Sequence, residues 1–89
     1  MKYRSRTDIV SQILDAANGG SSKTKIMYKA YLSYAQLKEY LGILLESGLI
    51  EYRDTDQQYR TTEKGFRFIK AYQNMDRLTG SMLEQKIEE

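Results

Sequence analysis

Four helix-start signals divide this chain of 89 residues into short segments. Ser5 and Ser33 are each followed three residues later by a side chain that can bond back to the backbone, which is the capping-box pattern. Ser22 and Thr62 are N-cap residues of the simpler kind. Because the chain has no proline and glycines follow two of the segments, these signals predict a mainly helical domain with short turns.

Apolar residues recur at helical spacing inside these segments. The first helix is predicted over residues 6–17, and a second helix of barely two turns follows Ser22 with Ile26, Met27 and Ala30 on its buried side. A third helix is predicted from Tyr34 to the Ser47-Gly48 stop. Its core-facing positions are Leu37, Leu41, Leu44 and Leu45.

Two short runs with strand character come next. Residues 49–53 and 58–61 carry aromatic and β-branched side chains in alternation, and the polar segment 54–57 separates them. This arrangement predicts a β-hairpin.

The last predicted helix continues past the length that a small domain needs. Its apolar pattern runs from Phe66 to Met82, so we expect the domain to occupy residues 1–72 and residues 73–89 to extend the helix as a dimerisation segment. Part of this pattern has a spacing close to the 3.5-residue period of a coiled coil. The candidate dimerisation residues are Phe68, Tyr72, Met75, Leu78, Thr79 and Met82.

The composition narrows the class of protein. With no Cys and no His, the chain lacks a thiolate nucleophile, a histidine general base and the soft ligands of a zinc site. Asp54 and Asp56 lie in a polar turn without the ligand series of a calcium loop. We therefore expect no catalysis, no metal and no cofactor. The uncharged runs are far shorter than the roughly 18–20 apolar residues of a membrane span, which favours a cytoplasmic protein.

The small net charge of +2 conceals an asymmetry along the chain. Residues 1–38 carry seven Lys or Arg against two Asp, whereas residues 39–89 carry seven basic residues against ten acidic ones. A positive front half suits a polyanionic partner, although solvated lysines on ordinary helix faces give the same count.

The order helix, short helix, turn, longer helix, hairpin, helix is that of a winged helix–turn–helix domain. Within residues 4–72, the stretches 23–30 (KTKIMYKA), 32–34 (LSY), 40–41 (YL), 48–50 (GLI) and 61–65 (TTEKG) resemble a known family. These are the archaeal winged-helix regulators that include the ten-kilodalton Sulfolobus DNA-binding proteins. The resemblance implies a winged helix that binds duplex DNA and pairs through its C-terminal helix, in that family as an antiparallel coiled coil.

In a helix–turn–helix the second helix presents its N-terminal residues to base edges in the major groove. Here that helix is residues 34–47, and Gln36 and Lys38 remain as base-edge candidates once the leucines face the core. Gln36 has an alternative role in the cap with Ser33, and the two roles partly exclude each other. Ser33 itself either meets a phosphate at the helix N-terminus or acts only as a cap.

Further candidate DNA contacts surround that helix. Lysines of the short helix are placed to meet phosphates, with solubility as the alternative role. Wing arginines flank the hairpin tip and are expected to touch the backbone while the acidic tip stays in solvent. The residues are Lys23, Lys25, Lys29, Arg53 and Arg60.

The eight tyrosines divide into two groups. Tyr31 and Tyr34 lie beside the turn of the motif and are candidate DNA contacts. The others considered, which neighbour apolar helix and strand positions, are expected to complete a thin core: Tyr28, Tyr40, Tyr52 and Tyr59.

These observations predict a homodimeric protein that binds double-stranded DNA, as a transcriptional regulator or a chromatin-associated protein of the nucleoid. The alternative is a winged-helix module for protein–protein interaction without direct DNA binding. The small net charge and Glu39 on the reading helix keep that alternative open. No residue spacing supports an enzyme.

Overall fold

The computed structural model describes residues 4–75. In this part of the chain four helices and one antiparallel hairpin follow one another in the predicted order, so the mainly helical, winged architecture is confirmed. The dimerisation candidates Leu78, Thr79 and Met82 lie outside the described residues, as does most of the predicted 73–89 extension. The elements are α1 (Arg6–Ala16), α2 (Lys23–Lys29), α3 (Tyr34–Glu46), β1 (Ile50–Arg53), β2 (Gln58–Thr61) and α4 (Glu63–Met75).

The serine caps start three of the helices as predicted. Ser5 Oγ accepts a hydrogen bond from the Asp8 backbone N–H, and the Asp8 carboxylate accepts one from the Ser5 N–H, both at 3.0 Å. Ser33 and Gln36 make the same reciprocal pair at 3.2 and 3.1 Å. Ser22 Oγ caps α2 at 3.2 Å. Each cap stabilises its helix by about 1 kcal/mol. Because the cap bonds join residues three positions apart, these helix starts can be predicted from the local sequence.

The core lies between the first three helices and the root of the hairpin. Leu37, Leu41 and Leu44 are buried as predicted, whereas Leu45 is 39% exposed. Successive helical residues are 100° apart, so Leu45 turns away from the core that Leu44 fills. The largest fully buried side chains are Ile13, Leu14, Ile26, Leu37, Leu44 and Ile50.

The hairpin is tied to the helical body at its root. Ile50 pairs with Thr61 in the antiparallel register, and the Thr61 hydroxyl donates to the Leu14 carbonyl at 2.5 Å. Ser21 exchanges two backbone hydrogen bonds with Tyr59, at 2.9 and 2.8 Å. The wing therefore has a fixed orientation relative to α1 and to the start of α2.

Helix α4 lies against α1 and β2 with little of its surface covered. Among its described residues only Gly65 is buried, while Phe68 and Ile69 are partly buried against the core. The Tyr72 hydroxyl donates to the Asp8 carboxylate, which joins α4 to the first turn of α1. No helix within residues 4–75 has the length and apolar character needed to cross a membrane.

The Asp8 contact makes part of the stability depend on pH. The hydrogen bond from Tyr72, followed by that from the Ser5 backbone, lowers the pKa of Asp8 below its ordinary 3.8. A carboxyl whose pKa is lower in the folded state stabilises the fold above the unfolded pKa, and this contribution disappears as pH falls through the folded pKa. We expect Asp8→Asn to lower the thermal midpoint near neutral pH and to approach the wild-type midpoint in acid, as the pH falls well below the ordinary 3.8.

Asp15→Asn is the matched control, because Asp15 is an exposed carboxylate on the same helix without a side-chain partner in residues 4–75. It should shift the midpoint little at either pH. A difference between Asp8→Asn and wild type that persists undiminished in acid would contradict the assignment.

Candidate nucleic-acid interface

The turn between α2 and α3 is held by a Schellman motif. The Leu32 N–H donates to the Met27 carbonyl at 3.1 Å, and the Tyr31 N–H donates to the Tyr28 carbonyl at 3.3 Å. Tyr31 follows the C-cap of α2 and occupies the left-handed region with φ 54°. Gly48 holds the equivalent position after α3, with φ 76°. This conformation costs a residue with a Cβ about 1–2 kcal/mol, so the turn carries backbone strain at an exposed aromatic residue.

Arg4 supports this turn in a way that the sequence analysis missed. Its guanidinium donates to the Tyr31 carbonyl at 2.8 Å and also bonds the Ala30 carbonyl and the Gln12 side chain. The two carbonyls lie just beyond the last turn of α2, where a cation is favoured. Since they are 26 and 27 residues away from Arg4 along the chain, no local pattern signals this role.

The solvent side of α3 carries the predicted reading residues. Gln36, Lys38 and Glu39 are exposed, while Leu37 is buried between them. Gln36 Oε1 accepts the Ser33 N–H at 3.1 Å, so the observed role of Gln36 is the cap. A bidentate pair with adenine needs the same oxygen. Lys38 makes no hydrogen bond or ion pair with residues 4–75.

The lysines of α2 form the positive side of this surface. Lys25 and Lys29 are exposed and Lys23 is half-buried. The Lys23 ammonium lies 5.2 Å from the centre of the Tyr34 ring, within cation–π range, and so connects the starts of α2 and α3. The only ion pair in the described part of the chain joins Arg67 and Glu63 on α4. From residue 16 to residue 38 the sequence has no Asp or Glu, so no carboxylate of this stretch offsets its lysines.

Three tyrosines around the turn are open to solvent: Tyr28 is 72% exposed, Tyr31 83% and Tyr34 55%. Tyr31 and Tyr34, which the sequence analysis set apart from the core tyrosines, are therefore exposed. The core position predicted for Tyr28 is wrong. Two residues of helix rotate the side chain about 200° away from Ile26, which is fully buried, so Tyr28 faces water.

The wing brings its two arginines to one face of the hairpin. Arg60 lies opposite Glu51 and Arg53 opposite Gln58, and residues two apart on a strand share a face. Arg53 is exposed near the tip. Arg60 is half-buried, its Nε has no hydrogen-bond partner within residues 4–75, and its guanidinium lies beside Gly20. The two arginines therefore share a face, but Arg53 is the one that reaches outward.

The opposite face of the hairpin carries the aromatic pair. Tyr52 and Tyr59 face each other with ring centres 4.9 Å apart. Tyr59 packs on the core, as does Tyr40 on α3, and both confirm the prediction. Tyr52 is 43% exposed, so its predicted place in the core is wrong. Within residues 4–75 no second layer covers this side of the short hairpin.

Fold and surface together define a winged helix–turn–helix protein with a lysine-rich second helix. The family model for the winged helix–turn–helix matches residues 3–80, and the chain belongs to this family. The resemblance seen in the sequence is thereby confirmed.

The chain is similar to two archaeal proteins. The crystal structure of Sso10a-2, a DNA-binding protein from Sulfolobus solfataricus, superposes with a TM-score of 0.82 at 23% identity, covering 96% of this chain and 92% of that one. At this identity the likeness shows the fold. The uncharacterized protein MJ0290 of Methanocaldococcus jannaschii is 37% identical over 76 residues. The match covers 84% of this chain and 35% of that relative, so the chain spans about a third of the relative's length.

Proposed function

We propose that this protein binds duplex DNA with α3 in the major groove and α2 along the phosphate backbone. The observation that carries the proposal is the surface of residues 23–38, which presents four lysines without an acidic residue in the stretch. Such a surface is complementary to a polyanion. In helix–turn–helix proteins the second helix of the motif lies in the major groove, which supports this orientation. The description of Sso10a-2 as a DNA-binding protein supports the same function for a similar fold.

Most of the contacts we propose go to the phosphate backbone. The lysines of α2 meet phosphates, and Ser33 offers its hydroxyl proton or nearby backbone N–H groups at the N-terminus of α3. Arg53 contacts an adjacent phosphate from the wing, and the half-buried Arg60 lies on the same face nearer the root of the hairpin. Tyr31 and Tyr34 flank these contacts. The lysines are Lys23, Lys25 and Lys29.

We assign base recognition chiefly to Lys38, because Gln36 must break its hydrogen bond with the Ser33 N–H before it can pair with a base. A cationic side chain at this position reaches the acceptors of guanine in the major groove. We expect Lys38→Ala to cost about 1–3 kcal/mol on a selected duplex and much less on random DNA. Binding titrations of wild type and Lys38→Ala with the selected and the random duplex measure this difference.

Lys70→Ala is the control for that experiment, since it removes the same charge from an exposed position on α4. Equal losses of affinity on selected and random duplexes would show that Lys38 contacts a phosphate and not a base. Failure of wild type to bind a mixed-sequence duplex at low salt would reject DNA binding and favour the protein–protein interaction module.

We also propose that the protein is a homodimer that pairs through α4 and its continuation over residues 73–89. Its own domain covers the apolar residues of α4 incompletely: Phe66 is 38% exposed, and Phe68 and Ile69 pack against the core but are only partly buried. Tyr72 and Met75 follow on the same helix. A dimer of this kind would read two half-sites about 10–10.5 base pairs, or a multiple of that, apart. This geometry fits a transcriptional regulator or a chromatin-associated protein of the nucleoid.

Removal of residues 76–89 tests this pairing. We expect light scattering to give twice the 10.4 kDa chain mass for the full chain and the monomer mass for the shortened one, because the coiled-coil seam is lost. The thermal midpoint of the shortened chain at high dilution shows whether its domain still folds. A shortened chain that stays a tight dimer would refute the proposed interface.

A further inference from the structure

We propose that the exposed tyrosines of the α2–α3 turn form a stacking surface for the unpaired bases of a single-stranded nucleic acid. We call Tyr28, Tyr31 and Tyr34 the tyrosine surface. The proposal rests on the proposed function in one respect, because it uses the same lysines for phosphate contacts. It goes beyond that function, because a duplex hides the faces of its bases within the stack.

The three rings have faces available to a ligand. The only ring–ring contact within residues 4–75 is between Tyr52 and Tyr59, so these rings do not stack on one another. Their hydroxyls make no hydrogen bond with the described part of the protein. Exposed aromatic rings that contribute little to their own core are the platforms on which single-strand binders stack successive bases.

The backbone of Tyr31 is held in place by hydrogen bonds on both sides of the residue. It holds φ 54°, its N–H is bonded to the Tyr28 carbonyl and its carbonyl to Arg4. A glycine would take this conformation without strain. Strain retained at an exposed residue points to a functional role for its side chain, and the fixed backbone reduces the entropy lost when a base stacks on the ring.

The charge around the tyrosine surface favours nucleic acid over an apolar protein partner. Lys25 and Lys29 flank Tyr28 in the sequence, and the stretch from residue 16 to residue 38 has no acidic residue. Lys23 lies over the Tyr34 ring and occupies one of its faces. Tyr28 and Tyr31 are therefore the two main platforms, with lysines beside them to neutralise the phosphates of the stacked nucleotides.

Binding of the full chain to labelled oligonucleotides of about 20 nucleotides tests the proposal, with thymidine DNA, uridine RNA and a DNA duplex as the three probes. We expect Tyr28→Ser and Tyr31→Ser each to lower the ratio of single-strand to duplex affinity about tenfold, as the loss of one stacked base predicts. Ile43→Ser is the control, since it removes a 48% exposed apolar side chain from α3, and it should leave the ratio unchanged.

A fluorescent variant gives a second readout. The chain has no Trp, so Tyr31→Trp reports from this position alone. We expect unlabelled single strands to quench its emission and the duplex to quench it less. Similar quenching by DNA and RNA supports recognition through base faces, and a preference for one of them identifies the natural source.

The outcomes separate this proposal from the duplex function. Duplex binding without quenching by single strands, or an unchanged affinity ratio in both tyrosine variants, overturns the stacking surface alone. Loss of binding to all three probes in the wild type overturns both proposals.

Discussion

Replacing Lys23, Lys25 and Lys29 together by Ala is expected to reduce duplex affinity more than any other change at the proposed interface. Each lysine that neutralises a phosphate adds about 0.9 to the log–log salt slope through counterion release. The triple variant should therefore show a slope shallower by about 2–3 and, at about 0.1 M salt, an affinity lower on the order of a hundredfold. Since phosphates carry no sequence information, selected and random duplexes should lose affinity alike.

Titrations over a range of salt concentrations, with Lys25→Ala and Lys70→Ala as a matched pair, provide the control. Both lysines are exposed on helices, and each substitution removes one positive charge. Only Lys25→Ala should make the slope shallower, by about 1. A triple variant with the wild-type slope would show that α2 does not face the DNA backbone.

Gly65→Ala is expected to destabilise the fold by about 3 kcal/mol, at the upper end of overpacking effects. A Cβ at this position would lie inside the van der Waals distance of the Leu49 carbonyl oxygen and 2.6 Å from Cγ2 of Thr61. The Leu49 carbonyl cannot easily retreat, because it accepts the Thr62 N–H at 3.1 Å. The first turn of α4 must therefore move away from the hairpin, which denaturant unfolding would record as a lower midpoint.

Gly42→Ala is the matched control with the opposite expected sign. Gly42 is exposed in the middle of α3, and a Cβ there would meet nothing within 4 Å. Because alanine restricts the unfolded chain and favours the helix, this variant should gain about 0.5–1 kcal/mol. Equal losses in both variants would show that the cost at residue 65 comes from glycine removal in general and not from the close approach to Leu49.

The positions that sequence reasoning placed wrongly share one physical origin. Helical spacing identified the direction of the core for Leu37 and Leu44. Leu45 and Tyr28 lie beside core residues, but on helix sides that residues 4–75 leave exposed. The sequence around a hydrophobic residue does not show whether another layer of the fold will cover its side chain. The small number of layers formed by residues 4–75 decides their exposure.

The candidate surface was predictable as far as its residues lie close together along the chain. Lysines, tyrosines and the turn all fall within residues 23–38, so their closeness follows from α2, α3 and the cap between them. The choice of the cap role for Gln36 and the partly buried position of Arg60 required the neighbours in space.

The sequence by itself determined where the four helices begin and, to within about a residue, where α1 and α3 end, because caps and helix-stop turns are made between residues three to five positions apart. It also determined the charge asymmetry and the absence of Cys and His chemistry. The tertiary structure alone decided that Arg4 supports the turn, that Gly65 admits the Leu49 carbonyl and that Tyr72 bonds Asp8. Each of these contacts joins residues 16 to 64 positions apart, and such a contact exists only after the intervening elements have packed.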